Sequence, residues 1–164
     1  MVFLLPSFFK IITKIMGINK FLDSNCNIMK LDYYKAANKD FKFISSLFKP
    51  ENTVYYWTKR LTREDIKRLK RRDNYILTVN KTKIGWFILK KQNDTCEFGI
   101  IIDKPFQNKG YGQQTMEIAQ KEAKKMRVKR IKILVFEKNI IARRIYTKAG
   151  FKETNYLVEM EKKI

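Results

Sequence analysis

Ile100-Ile101-Ile102-Asp103-Lys104-Pro105-Phe106-Gln107-Asn108-Lys109-Gly110-Tyr111-Gly112 is the stretch on which the chain turns. Three β-branched residues deliver the backbone into a loop that holds two glycines. Beyond it, Tyr111, Thr115, Ile118, Ala119, Ala123 and Met126 recur by threes and fours, which predicts an amphipathic helix over Gly110–Met126. Glycine permits positive φ and lets a ligand approach the backbone closely. The first N–H groups of a helix have no internal partner and carry partial positive charge. A strand, a glycine loop and a helix N-terminus in that order make a cradle for a pyrophosphate. No Gly-Lys-Ser/Thr follows, so the loop is not of the Walker type, and its glycine spacing is not that of a dinucleotide fingerprint. A tight strand-to-helix turn that binds nothing has the same local sequence, so the rest of the chain must decide.

Working back from the junction, Thr95–Ile102 reads as a strand with Glu97, Gly99 and Ile101 on one face and Phe98, Ile100 and Ile102 on the other. Gln92–Asp94 is a polar turn, Ile84–Lys90 a strand, Asn80–Lys83 a turn and Tyr75–Val79 a further strand. Thr62-Arg63-Glu64-Asp65 has the form of a capping box and opens a helix through Arg72. Phe41, Ile44, Leu47 and Phe48 share one helical face over Lys39–Phe48, which Pro50 stops. Ile28–Leu31 reads as a short first strand. Downstream, Arg130–Phe136 is a β-branched strand, and Ile140–Ala149 is a helix ended by Gly150 at its C′ position. Phe151–Thr154 and Leu157–Lys162 read as closing strands. This order describes one mixed α/β (α+β) domain with no internal repeat and no linker.

The chain has 164 residues, with 36 Lys+Arg against 16 Asp+Glu and a formal net charge of +20. That length is one domain, and a hydrophobic content of 45% supplies a core. Lysines interrupt every apolar stretch before about 18 residues, so no transmembrane segment is expected. There is no histidine, which removes His triads, His-zinc sites and a His base together. Proton transfer is left to Glu, Asp, Tyr, Cys, Lys or water. Cys26 and Cys96 have neither metal-type nor disulfide-framework spacing, so they read as reduced thiols of a cytoplasmic protein, and no metal is expected. Residues 1–28 stand apart, with Phe8, Ile11, Ile12 and Ile15 at helical spacing between Lys10 and Lys14. They read as a helix packed on the domain, as an interfacial membrane helix, or as sequence that is not translated. Met29-Lys30-Leu31 resembles a start, so the domain is read as 29–164.

Two patterns together resolve the loop. Gln107-x-x-Gly110-x-Gly112 resembles the Q/R-x-x-G-x-G/A pyrophosphate loop of the GNAT superfamily of N-acetyltransferases. Twenty-seven residues after Gly112, the run Asn139-Ile140-Ile141-Ala142-Arg143-Arg144-Ile145-Tyr146-Thr147-Lys148-Ala149-Gly150-Phe151 resembles that family's N-x-x-A-x-x-x-Y-x-x-x-G-F signature. The resemblance covers Tyr75 to Lys162. It implies the GNAT fold, a mixed, mostly antiparallel sheet of about six or seven strands, flanked by helices and splayed where acetyl-CoA enters. It further implies that pantetheine pairs with the backbone of Ile100, Ile101 and Ile102. Gln107, Asn108, Lys109, Gly110, Tyr111, Gly112 and Gln113 would meet the pyrophosphate, and Asn139 the pantetheine arm.

On the same resemblance Tyr146 faces the thioester sulfur as a proton donor. Ala142, Ile145, Tyr146 and Ala149 also share a helical face, so a purely core role for Tyr146 stays open. Glu97 is the first candidate base, at a position where polyamine-type members carry Glu. A solvent-facing carboxylate, or a water chain in place of a base, is the alternative. Some members place a glutamate on the following strand, where this chain has Leu134, a departure from the ribosomal-protein acetyltransferases.

The activity implied is acetyl transfer from acetyl-CoA to a primary amine of a small molecule, polyamine or protein. An acyl-CoA-binding module without turnover and a basic nucleic-acid-binding protein are the rivals. A +20 protein repels a free polycation unless Glu51, Glu64, Asp65, Asp73 and Glu97 line its site. Lys59–Arg72, with eight basic and two acidic residues, and Lys121–Lys132, with seven and one, suit docking on RNA-rich particles or acidic surfaces. A homodimer is compatible with the same sequence.

Overall fold

The computed structural model describes residues 30–52 and 61–154. Five strands form one sheet in chain order: β1 (Asp32–Lys35), β2 (Asp73–Val79), β3 (Thr82–Gln92), β4 (Thr95–Ile102) and β5 (Arg130–Ile133). The first four pair antiparallel, and β5 joins β4 in parallel. Helices α1 (Phe41–Leu47) and α2 (Arg63–Lys70) separate β1 from β2. Helix α3 (Tyr111–Lys125) separates β4 from β5, and α4 (Ile140–Lys148) follows.

Local chemistry sets these boundaries. At α2 the Thr62 hydroxyl accepts from the Asp65 N–H at 3.1 Å and the Asp65 carboxylate accepts from the Thr62 N–H at 3.0 Å, a reciprocal cap. Asn80 and Lys81 stand at φ +48° and +63° in the two-residue turn that joins β2 to β3, as a type I′ hairpin requires.

Period-two alternation splits the apolar residues between two cores. Tyr75, Leu77, Phe87, Leu89, Cys96 and Phe98 face α3, where Tyr111, Met116 and Ala119 meet them. Ile76, Trp86, Ile88 and Ile101 face α1, against Phe41, Ile44 and Leu47. The register of β2 and β3 slips between Leu77 and Thr78, with Ile84 as the extra residue, and the bulge turns Ile84 into the α3 core. Each helix layer is also pinned by a buried carboxylate. Asp40, fully buried before α1, accepts from Lys83 Nζ at 2.7 Å, the Tyr34 hydroxyl at 3.0 Å and the Ala37 N–H at 2.9 Å. Glu122 of α3 accepts from the Tyr33 and Tyr75 hydroxyls on β1 and β2.

Several expected boundaries move. The first strand is Asp32–Lys35 rather than 28–31, and positions 28 and 29 lie outside the described residues. Helix α2 ends at Lys70, where Asn74 Nδ2 donates to the carbonyls of Leu69 and Arg72. Strand β5 stops at Ile133, short of Phe136: its pairing ends opposite Phe98, although β4 itself runs on to Ile102. Residues 151–154 are not a strand, and the run expected over 157–162 lies outside the described residues, as do residues 1–28. The sheet therefore has five strands among the described residues, against an expected six or seven. No helix among them is long and apolar enough to cross a membrane.

Candidate active site

Strand β4 changes its company half-way along. Thr95–Phe98 lie between β3 and β5, with Phe98 opposite Leu89 on one side and Ile133 on the other. Gly99, Ile100, Ile101 and Ile102 pair with β3 alone. Beyond Ile133 the chain diverges, and Leu134 is 86% exposed. Along a strand, successive peptide groups point to opposite sides. The Ile101 carbonyl points to β3, so close that a Cβ built on Gly85 would lie 2.6 Å from it. Ile100 and Ile102 therefore turn their peptide groups to the other edge. There the Ile102 carbonyl is taken by Gln107 Nε2 at 2.8 Å. The N–H and C=O of Ile100 and the N–H of Ile102 are left facing the splay.

That edge runs directly into the loop. Asp103 caps a single 3₁₀ turn, Lys104–Phe106. Asn108 at φ +59° and Gly110 at φ +79° then reverse the backbone twice before α3 begins, an arrangement that gathers N–H groups into an anion-binding hollow. A Cβ on Gly110 would meet nothing within 4 Å, so this glycine is required by its φ, and the space beside it is open. Gly112 has a different reason. A Cβ there would lie 3.2 Å from Ile145 Cδ1 of α4, so the second glycine lets the two motif helices approach. Gln120 Nε2 on α3 also donates to the Ala149 carbonyl at 3.1 Å, closing the end of α4.

The remaining expected ligands divide by side-chain use. Asn108 and Gln113 are exposed. Gln107 turns inward, donating to the carbonyls of Ile102 and Asn52. Lys109 folds back, its Nζ donating to the Pro105 carbonyl and standing 5.3 Å from the centre of the Phe106 ring. Tyr111 is 1% exposed, so only its backbone N–H is available to a ligand. Asn139 caps α4, its Oδ1 accepting from the Ala142 N–H at 3.1 Å, which leaves its Nδ2 protons for a partner.

Tyr146 is partly buried beside Phe151, ring centres 6.1 Å apart, and packs on the α3-side core that also receives Ile100, Ile102 and Phe106. Burial pushes its hydroxyl up to about 12. Glu97 stands on the opposite face, exposed, between Lys90 and Lys132 in the cross-strand register. Lys90 Nζ donates to it at 2.9 Å.

The carboxylates weighed for polycation binding are not gathered. Glu51 pairs with Lys49, Glu64 with Lys67 and Arg68, Asp73 with Lys35, and Asp65 serves the Thr62 cap. Among the described residues, no cluster of His, Cys, Asp and Glu could hold a metal. Sequence reading passed over Gly85 and Asn52. An isolated glycine inside a strand pattern was a signal for the first. Asn52, at the end of the α1 loop, gave none.

A sequence model of the acetyltransferase (GNAT) family matches residues 33–151. An uncharacterized N-acetyltransferase of Bacillus subtilis (strain 168), YycN, is 34% identical over 91 residues, which is 51% of this chain and 56% of that protein. The chain thus spans about half the length of the curated relative it matches. Among solved structures, the spermidine N-acetyltransferase of Vibrio cholerae in complex with CoA and spermine superposes with a TM-score of 0.70 at 24% identity, covering 79% of this chain and 85% of that one. The ribosomal-protein-S18-alanine N-acetyltransferase of Escherichia coli gives 0.66 at 19% identity, over 77% and 80%.

Proposed function

Since the chain belongs to the GNAT family of acetyltransferases, we propose that it transfers the acetyl group of acetyl-CoA to a primary amine. The observation that carries this reading is the open edge of β4 leading straight into the hollow beside Gly110. An extended chain of amides ending in a pyrophosphate has the shape and chemistry to fill both.

Bound there, acetyl-CoA supplies a thioester carbonyl open to attack by the amine, with the CoA thiolate as leaving group. The N–H groups from Asn108 to Gln113 bind its pyrophosphate, helped by the partial positive charge at the start of α3. Ile100 and Ile102 hold the pantetheine as an added strand, and Asn139 Nδ2 reaches it from α4. Tyr146 keeps its proton throughout the physiological range, because burial holds the hydroxyl near 12. A phenol so weak is a poorer acid than a thiol of about 8.5. Its part is to donate a hydrogen bond that strengthens as charge develops on sulfur. A lysine-type amine of pKa about 10.4 is neutral in only about one molecule in 10³ at pH 7. Glu97, two residues before the open edge, takes its proton, directly or through water.

The acceptor is an amine presented on an acidic or RNA-rich surface rather than a free polyamine. The carboxylates that would attract a polycation are already engaged by cations and a helix cap. Meanwhile Arg63, Lys67, Arg68, Lys70, Arg71 and Arg72 are exposed, as are the seven basic residues from Lys121 to Lys132. The reading places the enzyme in the cytoplasm, where the buried Cys96 thiol stays reduced.

Acetyl-CoA at 100 times its dissociation constant stabilises the protein by about 2.7 kcal/mol. No rise in the melting temperature would overturn the reading. Tyr146→Phe removes one hydrogen-bond donor to the developing thiolate, lowers kcat by about 10²-fold and leaves acetyl-CoA affinity nearly unchanged. A fully active Phe variant makes Tyr146 a core aromatic only. Because the hydroxyl is raised in the folded state, its contribution to stability is complete below about pH 10. It is lost as pH rises from there toward 12, and Tyr146→Phe abolishes that part of the alkaline decline.

A further inference from the structure

Asn52 lies outside the glycine loop and outside the second signature, yet every polar atom it has is committed. It is 7% exposed. Its N–H donates to the Lys49 carbonyl at 3.0 Å and its Nδ2 to the Leu47 carbonyl at 3.0 Å, fixing it to the end of α1. Its other two atoms cross to the loop more than fifty residues away. Oδ1 accepts from the Lys104 N–H at 2.7 Å, and the main-chain carbonyl accepts from Gln107 Nε2 at 3.0 Å. Gln107 in turn donates to the Ile102 carbonyl, the last acceptor on the open edge of β4. Lys49 Nζ stands 3.4 Å from Asp103 Oδ1 beside the same crossing.

We propose that Asn52 is a positioning residue for the acetyl donor, acting through the Lys104 N–H and the Gln107 side chain to hold the loop 103–110 in its pyrophosphate-binding shape. The inference rests on the proposed acetyl-CoA site. Its physical basis is the cost of the loop's own conformation. Asn108 and Gly110 adopt left-handed backbone angles, which a residue other than glycine reaches only with support from its surroundings. The support here is Asn52. Without it the loop samples other shapes, and apparent affinity falls by the fraction of molecules that keep the competent one. The penalty falls on the pyrophosphate alone, since the β4 edge that receives pantetheine is held independently by its ladder to β3.

The test compares two donors by calorimetry: acetyl-CoA, and S-acetyl-pantetheine, which ends before the pyrophosphate. The wild-type protein binds acetyl-CoA more tightly. Asn52→Ala weakens acetyl-CoA about tenfold and leaves S-acetyl-pantetheine unchanged. Gln107→Met gives the same selective loss, and the double variant loses little more than the larger single one, because both cut one network. An acetyl-CoA affinity unchanged in Asn52→Ala overturns the inference, as does an equal loss for both donors. Should Asn52→Ala fail to fold, Gln107→Met alone decides on the same criterion. Equal wild-type affinities for the two donors would instead overturn the acetyl-CoA site itself.

Discussion

The two halves of β4 belong to one continuous strand and have opposite employment. Thr95–Phe98 is held on both sides, and its inward residues Cys96 and Phe98 are buried in the α3-side core. Gly99–Ile102 has the more strongly β-forming residues, yet it loses its second neighbour. A strand left with an unpaired edge invites another chain to pair with it. Here that edge is short and continues into the glycine loop. The contrast teaches that the open edge is made by the end of pairing with β5 at Ile133, and not by a break in β4, whose ladder to β3 runs on to Ile102.

Breaking the functional half at its far end has the largest effect. Gly110→Val places a β-branched residue at φ +79°, where such side chains are strongly disfavoured. The thermal shift produced by acetyl-CoA disappears, while the melting temperature without ligand stays within a few degrees. Retained binding would place the cradle elsewhere.

The halves are separated by a pair of variants. Phe98→Ala, in the doubly paired half, lowers unfolding free energy by about 3–5 kcal/mol in denaturant titration. Acetyl-CoA affinity of the folded protein is kept. Ile100→Pro, in the open half, deletes an N–H that serves no ladder bond. It costs less stability than Phe98→Ala and weakens acetyl-CoA about tenfold, as an edge position tolerates proline. If Ile100→Pro proves the more destabilising and leaves affinity intact, the assignment of edges is reversed.

The smallest effect lies at the foot of the strand. The Glu97–Lys90 pair is half in solvent, and such pairs contribute about 0.2–1 kcal/mol. Glu97→Gln therefore changes stability by less than about 1 kcal/mol, while kcat falls and acetyl-CoA affinity holds. An unchanged kcat assigns proton removal to water.

Much of the frame follows from local rules that the sequence states directly. Alternation over Thr95–Ile102 separates Ile101 from Phe98 and Ile100, and the two cores divide them the same way. The Thr62 cap, the left-handed Gly110 and Gly150, and the helix beginning at Tyr111 are single-residue or single-period signals. Boundaries set by neighbours were less legible. Arg130–Phe136 alternates β-branched residues at Ile131, Ile133 and Val135, yet only Arg130–Ile133 forms a strand, because the chain leaves β4 after Ile133 although β4 itself continues.

What the sequence by itself determined is the order of elements, the faces they bury, and the presence of a glycine loop ahead of a helix. Each depends on propensity and periodicity within a few residues. Tertiary structure alone decided that Gly112 is small for the sake of Ile145, and that Gly85 is small for the Ile101 carbonyl. It likewise turned Gln107 inward to meet Asn52 and left Ile100 facing an empty edge. These are contacts between residues distant in the chain. A hydrogen-bonding group looks the same in sequence whether its partner is a neighbouring strand, a distant asparagine or a ligand, and only the fold assigns it one.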